Sequence, residues 1–503
     1  MNPAYGVTAV VVVVVAAVLI GGFGLRLSRT TSDFYVASRT VSPLWNASAI
    51  GGEYLSAASF LGIAGLILAY GADMLWLPVG WTGGYLVLLV LVSAPLRRSG
   101  AYTLPDFAEA RLSSVAVRRT ASVLVVLIGW LYLMPQFQSA GVVLHSITGA
   151  PDWAGGVLVA VVVAVNVLSG GMRSITFVQA FQYWLKLTAL ALPLVFLLMA
   201  WRARGAPGLP AGDSASWALP LASGRDYPVY STYSLILATF LGTMGLPHVL
   251  VRFYTNPDGR AARRTTLVVL SLLGAFYLLP AIYGALGRIY ARDLLATGQT
   301  DQVVLTLPAR LLGGTPGDLL AALVTAGAFA AFLSTSSGLT VSVAGVIAQD
   351  ILGGGGVRSF RVATVLAVIV PLALASTTRS LPVADVVGLA FAVAASSFCP
   401  LLVLGIWWWR LTPPGAMAGL LAGGGLACTA VLTTIVGGPH HGMAGALLAQ
   451  PAAWTVPIAF VVMVVVSLAT QHRVPGDVAR VMVRLHTPEM LNVDRGDWRP
   501  RRS

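Results

Sequence analysis

Two stretches of this 503-residue chain put glycine, hydroxyl groups and one ionisable side chain inside runs that are otherwise apolar. The first is Gly51-Gly52-Glu53-Tyr54-Leu55-Ser56-Ala57-Ala58-Ser59. The second is Gly242-Thr243-Met244-Gly245-Leu246-Pro247-His248. Each reads as a break in a helix, and a break frees backbone N–H and C=O groups. Lipid cannot satisfy such groups, so breaks persist only where they line a cavity or a bound ion. The chemistry on offer is therefore binding. The chain shows no activated nucleophile with its base and no Gly-rich phosphate loop ending in Lys, so neither enzymatic turnover nor ATP supplies the expected activity, and no cofactor is called for. Cys399 and Cys428 lie in apolar runs, without disulfide or metal spacing.

The elements holding these breaks must be membrane helices. Hydrophobic residues make up 57% and charged residues 10% of the chain, and mean hydropathy is +0.83. Soluble domains carry about 25% charged residues. Apolar runs of spanning length fall near 4–25, 43–69, 74–96, 119–147, 153–170, 176–201, 231–251, 265–287, 316–348, 361–376, 383–408, 415–436 and 453–470. The expectation is an all-α polytopic membrane protein with about thirteen transmembrane helices.

A net charge of +13 suggests nucleic acid until the charges are placed. They gather in alternate short loops, such as Arg97, Arg98, Arg111, Arg118 and Arg119, or Arg252, Arg260, Arg263 and Arg264, and in the tail beyond Arg473. That asymmetry predicts a multi-pass bacterial inner-membrane protein with its N-terminus outside and its C-terminus cytoplasmic. The apolar start, without a basic lead or a cleavage site, reads as a retained span. The tail, 471–503, is expected along the inner membrane face. The two breaks lie five spans apart. An odd number of crossings inverts the second copy, and paired breaks of this kind point to the substrate site of an inverted-repeat transporter.

The motifs also carry a resemblance. Phe34-Tyr35-Val36-Ala37-Ser38-Arg39, Gly52 to Gly62, Gly245-Leu246-Pro247-His248-Val249-Leu250-Val251-Arg252-Phe253 and Val387 to Ser396 together resemble the sodium:solute symporter family. Within it they are similar to the cation/acetate, or monocarboxylate, branch, which has Asp where this chain has Glu53. The resemblance implies a LeuT-type fold with two inverted five-helix repeats. Boundaries follow: an extra N-terminal helix over 1–30, repeats over 43–202 and 229–410, and two further helices over 414–470.

What the resemblance implies for the site is specific. The family pattern Ala-x-x-Ser-Ser/Thr matches Ala331, Ser334 and Thr335, which would give sodium one carbonyl and two hydroxyl oxygens, with the carbonyls of Gly52 and Leu55 completing the shell. Sodium is a hard cation and takes oxygen ligands. Thr176 stands where some relatives have the Asp of a second ion site, so one coupling sodium is expected. The solute, a short monocarboxylate such as acetate, propionate or pyruvate, is expected among Tyr54, Ser56, Ser59, Gln136, Thr243 and His248, with Gln138 a further candidate. Glu53 is expected to serve the cation or a gate, because a carboxylate touching an anionic solute would repel it. Partners are thus the solute, sodium and the bilayer, with no nucleic acid and no obligatory protein. Other small solutes, proton coupling and a non-transporting sensor are the competing readings.

Blander readings exist for each residue. Ser334 and Thr335 can bond back to the preceding turn. Glu53 can pair with Arg39 or another arginine, and His248 can satisfy a carbonyl freed by Pro247. Lys186 reads as snorkelling to the interface, Asp385 as a cap or partner of Arg379, Trp407-Trp408-Trp409-Arg410 as an interfacial anchor, and His440-His441 as solvated loop residues.

Overall fold

The computed structural model describes residues 2–25, 41–209, 217–219, 221, 227–353, 356–376, 382–437 and 442–488. The Phe34 to Arg39 motif, Arg379 and His440-His441 lie outside them. Every regular element among the described residues is helical. Twelve of the helices are long and apolar enough to cross a membrane, which makes this a multi-pass membrane protein.

Helix α1 covers Pro3–Leu25. The expected span at 43–69 is divided. Its first half, α2, is Pro43–Tyr54, and its second resumes through a wide turn at Ala58–Gly62 into α3, Ile63–Tyr70. Twelve residues of α2 are too few to count as a span, while the stretch Ala58–Ser99 runs on through a bend and counts once. That bend, Gly71–Leu75, leads into α4, Trp76–Val87. Then come α5, Val115–Thr148, and α6, Asp152–Ala203, which contains two spanning stretches, Asp152–Ser169 and Ser174–Ala203.

The second break is as sharp as the first. Helix α7, Pro228–Gly245, stops where Leu246 is extended (φ −75°, ψ 116°), and α8, Pro247–Val251, restarts with proline at its first position. Proline suits a helix start because its missing N–H would be unpaired there anyway. Helices α9, Gly259–Tyr290, α10, Gly314–Val346, α11, Val357–Ala375, and α12, Val383–Trp407, follow. Two last spans are Pro413–Gly437 and Ala452–Ala469.

Burial sorts these helices. Of the most apolar window of α12, 94% is buried, and of the span containing α10, 83%; for α11 and Ala452–Ala469 the share is 33%. The inner helices therefore present protein on all sides and the outer ones turn a face to lipid. Helix α6 packs on α2 and α10, and α7 packs on α4 and α12. Each broken helix thus sits in its own sandwich of unbroken ones. A short helix of the tail, Val478–His486, packs against the residues around Arg98.

Candidate functional site

The end of α2 is where the structure concentrates polar groups. A helix leaves its last four carbonyls without intrahelical partners, and here they point into a dry interior. Gly51 O accepts the Leu55 N–H at 3.0 Å. Ser334 Oγ lies 2.6 Å from Gly52 O, and Thr335 Oγ1 donates to Glu53 O at 2.6 Å. Two adjacent hydroxyls of α10 therefore staple it to the broken end of α2. Ser334 Oγ is also 3.1 Å from Ala331 O, the back-bond typical of serine in apolar helices.

Lys186 completes this arrangement. Its Nζ donates to the carbonyl of Gly52, to that of Leu55 at 2.7 Å and to Ser334 Oγ at 2.8 Å. The side chain is fully buried near the middle of the stretch Ser174–Ala203. Snorkelling is thus corrected: the amine points into the protein and meets the oxygens that the resemblance assigns to sodium. The donor set, two carbonyls and a hydroxyl, suits a hard cation. Its position is taken by a cation tethered to the chain, and an ammonium and a free sodium ion cannot share it.

Beside it lies a buried ion pair. Arg252 Nε meets Glu53 Oε2 at 2.7 Å, with both side chains at 2% exposure or less. Arg252 Nη1 donates to Thr176 Oγ1 at 2.8 Å and Nη2 to Gln179 Oε1, while Gln179 Nε2 reaches Ser334 O at 2.8 Å. Glu53 accordingly takes the second of its bland readings, with Arg252 as the arginine, although its Oε1 keeps no partner. Thr176 joins Gln179 in holding the guanidinium. Room for Glu53 comes from Gly338, where a Cβ would overlap the Glu53 carboxyl group.

On the other side of the break the groups are aromatic. Tyr54 Oη and Thr243 Oγ1 are 2.7 Å apart, which joins the two breaks directly. Ser59 Oγ meets Tyr277 Oη at 3.1 Å, Tyr132 Oη reaches Ser56 Oγ at 3.4 Å, and Gln136 Oε1 accepts the Ala57 N–H at 2.9 Å. Phe391 of α12 stacks near Tyr54, Trp81 and Tyr132, and Tyr132 near His248. All six residues expected at the solute are therefore buried around this aromatic cluster. Gln138 is not; it bonds Ala375 O at 2.7 Å and lines a cavity of about 500 Å³ that none of the six reaches.

Several buried polar atoms of the cluster have no partner: both ring nitrogens of His248, Trp81 Nε1 and Tyr85 Oη. Native interiors leave few such groups unpaired, so a cluster of them marks a place built to bond something else. Pro247 and His248 start α8, whose first N–H groups are also without helical acceptors. Space is available as well. Gly388 lies in the nearly fully buried α12, one turn before Phe391, and a Cβ built on it meets no atom within 4 Å. The arrangement can hold a small polar solute out of water.

Sequence reasoning missed Arg252, Gln179 and the aromatic residues Trp81, Tyr85, Tyr132, Tyr277 and Phe391 as parts of one cluster. One signal was available for Lys186. It is the only lysine in the chain, set at mid-span, where a charge is expensive and usually functional.

Comparison with known proteins places the fold and the family. The model of the sodium:solute symporter family matches residues 34–423. An uncharacterized symporter of Bacillus subtilis is 34% identical over 419 residues, covering 80% of each chain. A monocarboxylic acid transporter of Corynebacterium glutamicum is 31% identical over 458 residues, covering 84% of this chain and 82% of its own. Among solved structures, a substrate-bound, outward-open Na⁺-coupled sialic acid symporter superposes with a TM-score of 0.70 at 15% identity, over 92% of this chain and 97% of its own. The nucleobase-cation-symport-1 transporter Mhp1 gives 0.59 at 14% identity, over 91% and 99%. The fold is LeuT-type, and this chain belongs to the sodium:solute symporter family.

Proposed function

We propose that this protein is a secondary active transporter that brings a short monocarboxylate, such as acetate, propionate or pyruvate, into the cell against its gradient. Family membership supports sodium-coupled symport as the class of activity and sodium as the coupling ion to test first. The observation that carries the solute is the buried cluster of His248, Trp81 and Tyr85, whose ring nitrogens and hydroxyl lack partners, with open space at Gly388 one turn before Phe391 of the same cluster. It offers hydrogen bonds to a small polar group and aromatic walls to a short alkyl chain. The relative from Corynebacterium glutamicum, a monocarboxylic acid transporter, favours the same solute class.

Charge supports an anion. Arg252 and Lys186 place two basic side chains in the buried group against one acid, Glu53. Rocking of one helix bundle against the other would expose the solute to either side in turn. Placement in a bacterial inner membrane, with the N-terminus outside and the C-terminus cytoplasmic, follows from the loop arginines.

Counterflow tests the solute class without any ion gradient. Proteoliposomes loaded with unlabelled pyruvate are expected to accumulate labelled pyruvate transiently, and external acetate and propionate to suppress it while acetamide and alanine do not. Suppression by alanine or a sugar, with none by acetate or propionate, moves the reading to another solute.

A further inference from the structure

We propose that the Lys186 ammonium is the resident cation of the site at the broken end of α2, and that this position binds no sodium in this protein. This goes beyond the transport reading above and holds for whichever solute is carried.

The broken end of α2 needs a cation. The helix ends in the interior at Tyr54, and Gly52 O and Leu55 O face inward there. A helix C-terminus carries negative partial charge. Water does not reach these atoms. Lys186 meets the need from the opposite helix: its three donors are matched by three oxygens, Gly52 O, Leu55 O and Ser334 Oγ. That is the full complement for an ammonium. Ser334 then has one proton left to give, and Gly52 O and Ala331 O both lie within reach of it.

Room for a second cation is lacking. Thr335, the remaining hydroxyl assigned to sodium, is spent on Glu53 O. Gln179 ties Ser334 O to the guanidinium of Arg252, and Arg252 neutralises Glu53. Sodium could enter only by displacing the Lys186 amine from these oxygens into a buried interior. The donor set fits sodium chemistry; the chain already fills it.

The test is equilibrium binding of radioactive sodium to the purified, full-length protein, which needs no knowledge of the solute. The wild type is expected to show no saturable sodium binding at this position. Lys186→Ala removes the tethered cation and leaves the oxygens, so saturable sodium binding is expected to appear in it and to be lost again in Lys186→Ala/Ser334→Ala. Saturable binding by the wild type that Ser334→Ala abolishes overturns the proposal. The thermal unfolding midpoint of each variant in the same detergent shows that it is folded before its binding is read, and Lys186→Met takes the place of Lys186→Ala if the latter is not. Because it uses sodium alone, its outcome does not depend on which solute is carried.

Discussion

Arg252→Gln is expected to lower stability by about 3–5 kcal/mol, because it leaves the Glu53 carboxylate buried without its partner. The ion pair is enclosed on all sides, and the guanidinium also holds Thr176 and Gln179. Removing it therefore takes a partner from two polar side chains as well as leaving one charge unpaired. The midpoint of thermal unfolding in detergent should fall sharply. The double variant Arg252→Gln/Glu53→Gln should recover most of the loss, since two neutral amides can bond each other where a lone carboxylate cannot be solvated. A double variant no more stable than Arg252→Gln would show that the guanidinium stabilises through its other contacts and that the pair with Glu53 is incidental.

Gly388→Leu tests the opposite kind of change. The residue is surrounded by protein, yet its missing side chain borders open space. A leucine there fills a void and buries apolar area, so the folded protein should be as stable as the wild type or more so. Uptake should nevertheless fall by about tenfold or more, equivalent to at least about 1.4 kcal/mol of lost solute binding. Unfolding midpoint and initial uptake rate measured on the same preparation separate the two effects. Loss of stability with uptake intact would place the void outside the solute's path.

Much of the scaffold was legible because membrane helices announce themselves by length and composition. The breaks at Tyr54 and Gly245 were equally legible, since glycine, proline and hydroxyl residues gathered in an apolar run interrupt its helix. What could not be read was pairing across the bundle. Nothing local to Glu53 says that Arg252, nearly two hundred residues later, closes on it, or that Tyr54 meets Thr243. Lys186 shows the limit of residue-by-residue reading most clearly. Taken alone, a lysine in an apolar helix is most simply a snorkelling side chain. Only when α6 is packed against α2 and α10 does its amine fall among the carbonyls of Gly52 and Leu55. The resemblance singled out Ser334 and Thr335, but what they face was decided by a residue on another helix.

The most direct test of transport is concentrative uptake by proteoliposomes under an inward sodium gradient, an inward proton gradient, or neither. Labelled pyruvate is the better probe, because its stronger acid leaves less neutral species to leak through lipid than acetic acid does; protein-free liposomes set the baseline. Accumulation above the external concentration under a cation gradient, collapsing when that gradient is dissipated, is the expected result. Protein-dependent entry that only equilibrates under every gradient would contradict secondary active transport and make this chain a passive pathway.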